Sequence, residues 1–155
     1  MYKKILVPLD SSALAECTLS HVKTIVKEGH VGEIILLSVV EMKLPMNYLS
    51  AEDSGIIEGF DFQAFWKEEV DKFQRYLAEV QNNLKAEGIK AETVIVKGVA
   101  PAQAIIDFSQ KNDVDLIVIA THGYTGLKKL MMGSVAFKVL HESHVPVLLI
   151  RPESC

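Results

Sequence analysis

At 155 residues, 49% of them hydrophobic and 23% charged, the chain has the size of one domain and enough apolar surface for one core, which excludes an intrinsically disordered protein. Its formal net charge of −4 supplies no broad positive field for a phosphate backbone, so nucleic acid is excluded as an expected partner. Lys3-Lys4 leads into only a short apolar stretch before Asp10, and no apolar run approaches a membrane span, so a cytoplasmic protein with no membrane partner is expected.

The first element in the chain is a short apolar run, Ile5 to Leu9, followed by a helical stripe of Ala15, Leu19, Val22 and Val26. Cys17 falls inside that stripe and Cys155 is the last residue, so the two read as a core thiol and a chain end, with no disulfide framework and no metal pair. A second apolar run spans Ile34 to Val40. After it, Glu41 to Asp61 carries Pro45, Gly55, Gly59 and scattered acids. This stretch, 41–61, reads as a mobile insertion, either a plain variable loop or a lid or partner contact. Trp66, Val70, Phe73, Leu77, Val80 and Leu84 then recur at alternating steps of four and three, which is one apolar stripe of a long helix. Thr93 to Val96 is a weaker strand, Pro101 to Gln110 a helix, Leu116 to Ala120 an apolar strand, Val135 to His141 a helix and Val147 to Ile150 a closing strand. Runs so uniformly apolar are covered on both faces, which favours a parallel sheet. The order βαβαβαβαβ therefore predicts one domain, 1–155, built as a doubly wound five-stranded α/β sheet with helices on both faces, because each parallel connection crosses over right-handedly.

In open sheets of this class ligands bind outside the carboxyl ends of the strands, where the winding reverses. Two turns there carry suitable residues. Pro8-Leu9-Asp10-Ser11-Ser12 ends the first strand; its serines can cap the next helix, and Asp10 either offers a carboxylate to the crevice or serves the turn. Ala120-Thr121-His122-Gly123 ends the fourth strand and leads through nine residues to Gly133-Ser134 and a helix. Gly123 permits a tight turn. A helix opening at Gly133-Ser134 presents free N–H groups and the positive end of its dipole to a phosphate, unless Ser134 is simply its N-cap. His122 has no second acid, base or nucleophile fixed beside it, which favours positioning or ribose contact over general-base work. Leu130, Met131 and Met132 read as packing under the loop, and Lys128 and Lys129 as a solvated face or a source of charge for a phosphate. His21, His141 and His144 have no ligand spacing, so no metal site is expected among them. The chain has no Walker loop and no G-x-G-x-x-G after its first strand.

These residues resemble the universal stress protein family, whose nucleotide-binding members carry a glycine, two residues, a glycine, nine residues, then glycine with Ser or Thr. Here the pattern reads Ala120-Thr121-His122-Gly123, nine residues, Gly133-Ser134, with Ala120 in place of the first glycine and Tyr124 where the family often has a basic residue. The resemblance spans nearly the whole chain, through Lys4 to Asp10, Asp115 to Gly123 and Val145 to Ile150. It implies an adenine nucleotide alpha hydrolase-like fold with strand order 3-2-1-4-5, and ATP, or ADP or AMP, as the ligand, with or without Mg²⁺. It places Pro8 and Asp10, with Leu9 between them, on the adenine and ribose side and Val39 against the base. Ala120, His122 and Gly123 would then hold the ribose and α-phosphate, and Gly133, Ser134, Val135 and Ala136 the phosphates.

The expected function is a nucleotide-dependent stress-response or signalling switch with a protein partner still to be found. One alternative is a slow ATP hydrolase, for which Asp10 is the evident Mg²⁺ ligand, although no Walker lysine is present to aid phosphoryl transfer. The other is a non-nucleotide module acting through dimerisation. The closing strand would lie at a sheet edge, and pairing across it in a homodimer would protect it.

Overall fold

The computed structural model describes residues 2–29, 31–42, 61–122 and 132–152. Five strands, β1 (Lys4–Pro8), β2 (Glu33–Glu41), β3 (Glu92–Gly98), β4 (Leu116–Ala120) and β5 (Val147–Ile150), alternate with helices α1 (Ala13–Glu16), α2 (Thr18–Glu28), α3 (Phe62–Ala86), α4 (Pro101–Lys111) and α5 (Ser134–Glu142). The strands form one five-stranded sheet of order β3-β2-β1-β4-β5, and every pairing is parallel. The expected order 3-2-1-4-5 is thus the observed one, and the winding reverses between β1 and β4.

Successive strand residues point to opposite faces, and the sheet uses both. Ile5, Val7, Leu36 and Val118 pack with Val22, Leu77 and Leu84 of α2 and α3 on one face. Leu6, Ile35, Leu37, Ile117 and Ile119 pack with Ile105, Ile106 and Val139 of α4 and α5 on the other. Asp115, just before β4, accepts hydrogen bonds from the Lys3 and Lys4 N–H groups at 2.7 and 3.1 Å, which ties the start of β1 to that of β4.

The single helix expected after β1 is instead two pieces meeting at Cys17. Ser12 caps α1, its side chain accepting from the Ala15 N–H. At the junction the buried Thr18 hydroxyl donates back to the Ala15 carbonyl at 2.7 Å, a local bond that competes with the regular helical ladder. Cys17 is disulfide-bonded, which corrects the reading of it as a core thiol, and Cys155 lies outside the described residues. The helix α3 starts at Asp61, whose carboxylate accepts from the Ala64 N–H at 2.9 Å. Only the carboxyl half of its stripe, Leu77, Val80 and Leu84, is fully buried. Of the 41–61 insertion, residues 43–60 lie outside the described residues. No described helix is long and apolar enough to cross a membrane.

Candidate functional site

Beyond Pro8 the β1 chain runs one residue further along β2, with the Leu9 N–H donating to the Leu37 carbonyl at 2.8 Å. It then turns sharply at Ser11, whose φ of 65° lies in the left-handed region. That turn brings Asp10 Oδ1 onto the Ser12 N–H at 3.0 Å and the Ser12 hydroxyl at 2.6 Å. Asp10 therefore serves the turn, as one of its two expected roles required, and it also lines the crevice.

At the end of β4 the Thr121 N–H donates to the Ile150 carbonyl at 2.8 Å, and the Thr121 carbonyl accepts from the Gly133 N–H at 2.7 Å. The second bond seats the start of α5 against the strand end. The N-cap is Gly133, not Ser134, and among the described residues no side chain caps the helix. The first intrahelical bond runs from Phe137 N–H to the Gly133 carbonyl, so the N–H groups of Ser134, Val135 and Ala136 belong to the first turn and have no intrahelical partner. Gly133 has an ordinary extended backbone with φ −62°. A Cβ there would lie 3.2 Å from the Thr121 carbonyl oxygen, so close packing of helix on strand requires this glycine, in addition to any ligand approach.

Both turns open on a single cavity of about 540 Å³. Pro8, Leu9, Asp10, Val39, Ala120, His122, Gly133, Ser134, Val135 and Ala136 all line it. Gly123 lies outside the described residues, as do Tyr124, Lys128, Lys129, Leu130 and Met131. Met132 packs against the α4 and α5 core. The lining includes an apolar group, Leu37, Val39, Pro101, Ile105 and Ile119, from β2, β4 and α4. Sequence periodicity places Pro101 and Ile105 in a helix without linking them to the crevice; only the sheet order brings the start of α4 there. Phe73 and Glu69 of α3 also line it.

The described lining carries the carboxylates of Asp10, Glu41 and Glu69 and no lysine or arginine. An anion there would meet the dipole and N–H groups of α5, the Ser134 hydroxyl and His122. His122 Nδ1 is 2.9 Å from the Thr121 hydroxyl. Its Nε2 is buried and has no hydrogen-bond partner among the described residues. No group of three metal-ligating side chains occurs among the described residues. Ser38, unremarked within an apolar run, is fully buried and donates its hydroxyl to the Leu9 carbonyl at 2.8 Å.

The universal stress protein family profile matches residues 1–151. Universal stress protein MJ0531 of Methanocaldococcus jannaschii is 35% identical over 151 residues, which are 97% of this chain and 83% of its own length. The solved structure of MJ0577, a universal stress protein of the same organism, superposes with a TM-score of 0.79 at 29% identity, covering 100% of this chain and 99% of that one. An Arabidopsis thaliana family protein, solved with AMP bound, has the same fold with a TM-score of 0.67 at 19% identity, covering 98% of this chain and 93% of its own. With this profile match over nearly the full length, a parallel sheet of matching order and relatives of one kind along the whole chain, this protein belongs to the universal stress protein family.

Proposed function

We propose that the cavity binds an adenine nucleotide, ATP or its di- or monophosphate, and that occupancy switches the surface around α5 for a protein partner. The observation that carries this reading is the amino terminus of α5, which no side chain caps among the described residues, lining the same cavity as an apolar group from β2, β4 and α4. One end suits a phosphate chain and the other a purine ring. In this arrangement Val39 packs the base, with Pro8, Leu9 and Asp10 on the base and ribose side. Ala120, His122 and Gly123 hold the ribose and α-phosphate, and Gly133, Ser134, Val135 and Ala136 the remaining phosphates. The AMP complex of the Arabidopsis protein supports this ligand class for the fold.

Mg²⁺ keeps several waters and needs one or two carboxylates beside the phosphate oxygens, a role that fits Asp10. The described lining offers no cation to stabilise a transferring phosphoryl group, so the reading is of a holding site with at most slow hydrolysis. Switching requires that the nucleotide favour one state over another, since equal affinity for both shifts nothing. Calorimetry with ATP, ADP and AMP tests the site: binding in the micromolar range is expected, and no heat with any of the three sinks the reading. Single-turnover assays with labelled ATP, compared with Asp10→Asn, separate holding from cutting.

A homodimer is part of the same proposal. Phe137 and Leu140 on α5 are 59% and 45% exposed, and Leu148 on the edge strand β5 is 36% exposed. A second copy would cover these apolar side chains and pair the open strand edge.

A further inference from the structure

In a parallel ladder, residues of one strand bond alternately to the neighbours on its two sides. Along β2, Glu33 donates to Lys3 and Leu37 accepts from Leu9, whereas Met42 beyond its end donates to Gly98 of β3. Odd-numbered β2 residues thus face β1 and even-numbered ones face β3. The next rung toward β1 would run from the Val39 N–H to the Leu9 carbonyl. It is absent from the backbone bonds among the described residues, and the Leu9 carbonyl accepts from the Ser38 hydroxyl instead. Ser38 is 0% exposed, in a strand whose other residues between Glu33 and Glu41 are all Ile, Leu or Val. A hydroxyl so placed costs stability unless it is bonded, and this one is bonded to the acceptor that the main chain would otherwise use.

We infer that Ser38 is a positioning residue for base selectivity: by occupying the Leu9 carbonyl it ends the β1–β2 ladder one rung early and leaves the Val39 peptide edge to the cavity. The inference rests on the nucleotide reading above. Val39 lines the cavity beside Leu9, and on a strand the N–H and C=O of one residue point to the same side. An open donor and acceptor at Val39 match a 6-aminopurine, whose ring N1 accepts and whose exocyclic amine donates. They mismatch a 6-oxopurine, in which N1 carries a hydrogen and the exocyclic atom is an acceptor. Without the Ser38 hydroxyl, the Leu9 carbonyl is left to capture the Val39 N–H, which removes the donor that reads N1.

Two measurements test this. Amide exchange followed by NMR on the nucleotide-free protein reads the rung: the Val39 N–H should exchange rapidly in the wild type and become protected in Ser38→Ala. Calorimetry with ATP and ITP reads the selectivity, which should fall roughly tenfold in Ser38→Ala, the scale of one hydrogen bond left unmade, and hold in Ser38→Thr. The ratio compares two ligands on the same protein, so a partly unfolded variant does not disturb it. A Val39 amide already protected in the wild type, or a ratio unchanged in Ser38→Ala, overturns the inference. If the wild type binds neither nucleotide, the nucleotide reading fails, and the inference drawn from it falls with it.

Discussion

Ser11 holds a left-handed backbone, φ 65°, between the carboxylate that faces the cavity and the serine that caps α1. A non-glycine residue there costs about 1–2 kcal/mol, partly offset in a glycine variant by the greater freedom of its unfolded chain. Ser11→Gly should therefore stabilise the protein by a few tenths to about 1 kcal/mol, read as a rise in Tm; a fall would mean that the Ser11 side chain contributes contacts of its own. Tyr76 presents the opposite case. Its hydroxyl is buried and has no partner among the described residues, and burial, then the Glu16 and Asp10 carboxylates, hold its ionisation well above the ordinary value of 10.0. A raised folded value means stability that is complete below pH 10 and lost as the unfolded chain ionises above it. Tyr76→Phe should be neutral or slightly stabilising at pH 7 and should flatten the decline in Tm between pH 9 and pH 11. None of this was legible in the sequence, because a positive φ at serine and an orphaned phenol are set by neighbours distant along the chain.

At the scale of elements, the junction of β4 with α5 does the most for the candidate site. The Gly133 N–H bonds to the Thr121 carbonyl, and a Cβ on Gly133 would press on that same oxygen. Gly133→Val should thus lose stability, by roughly 1–3 kcal/mol as for other overpacked positions, together with ATP affinity. Ser134→Ala should weaken ATP binding with little change in Tm. Chemical denaturation alongside calorimetry separates the two, and a Gly133→Val protein of unchanged stability would contradict the packing argument. Element order was readable because period-2 and period-3.6 patterns report burial locally. The weak strand signal at Thr93 to Val96 has a physical cause: β3 is an edge strand with none of its residues fully buried. The break at Cys17 was not readable, since Ala15, Leu19 and Val22 keep one stripe across it.

For the molecule as a whole, β5 is an edge strand of the sheet among the described residues, beside an α5 face that exposes Phe137 and Leu140. Light scattering should show a dimer at micromolar concentration, and Leu148→Glu, which buries a charge in the proposed contact, should give a monomer that still binds ATP. A wild-type monomer would remove the dimer from the proposal. The sequence by itself determined the class of fold, the succession of strands and helices and the two turns with candidate site residues, because hydrophobic period, glycine and capping chemistry all act over a few neighbouring residues. Tertiary structure decided what those turns face. Only the order β3-β2-β1-β4-β5 sets β1 beside β4 and brings the amino end of α4, with Pro101 and Ile105, to the crevice. The same order lays Ser38 against the Leu9 carbonyl, a contact between residues 29 apart in the chain that no local pattern encodes.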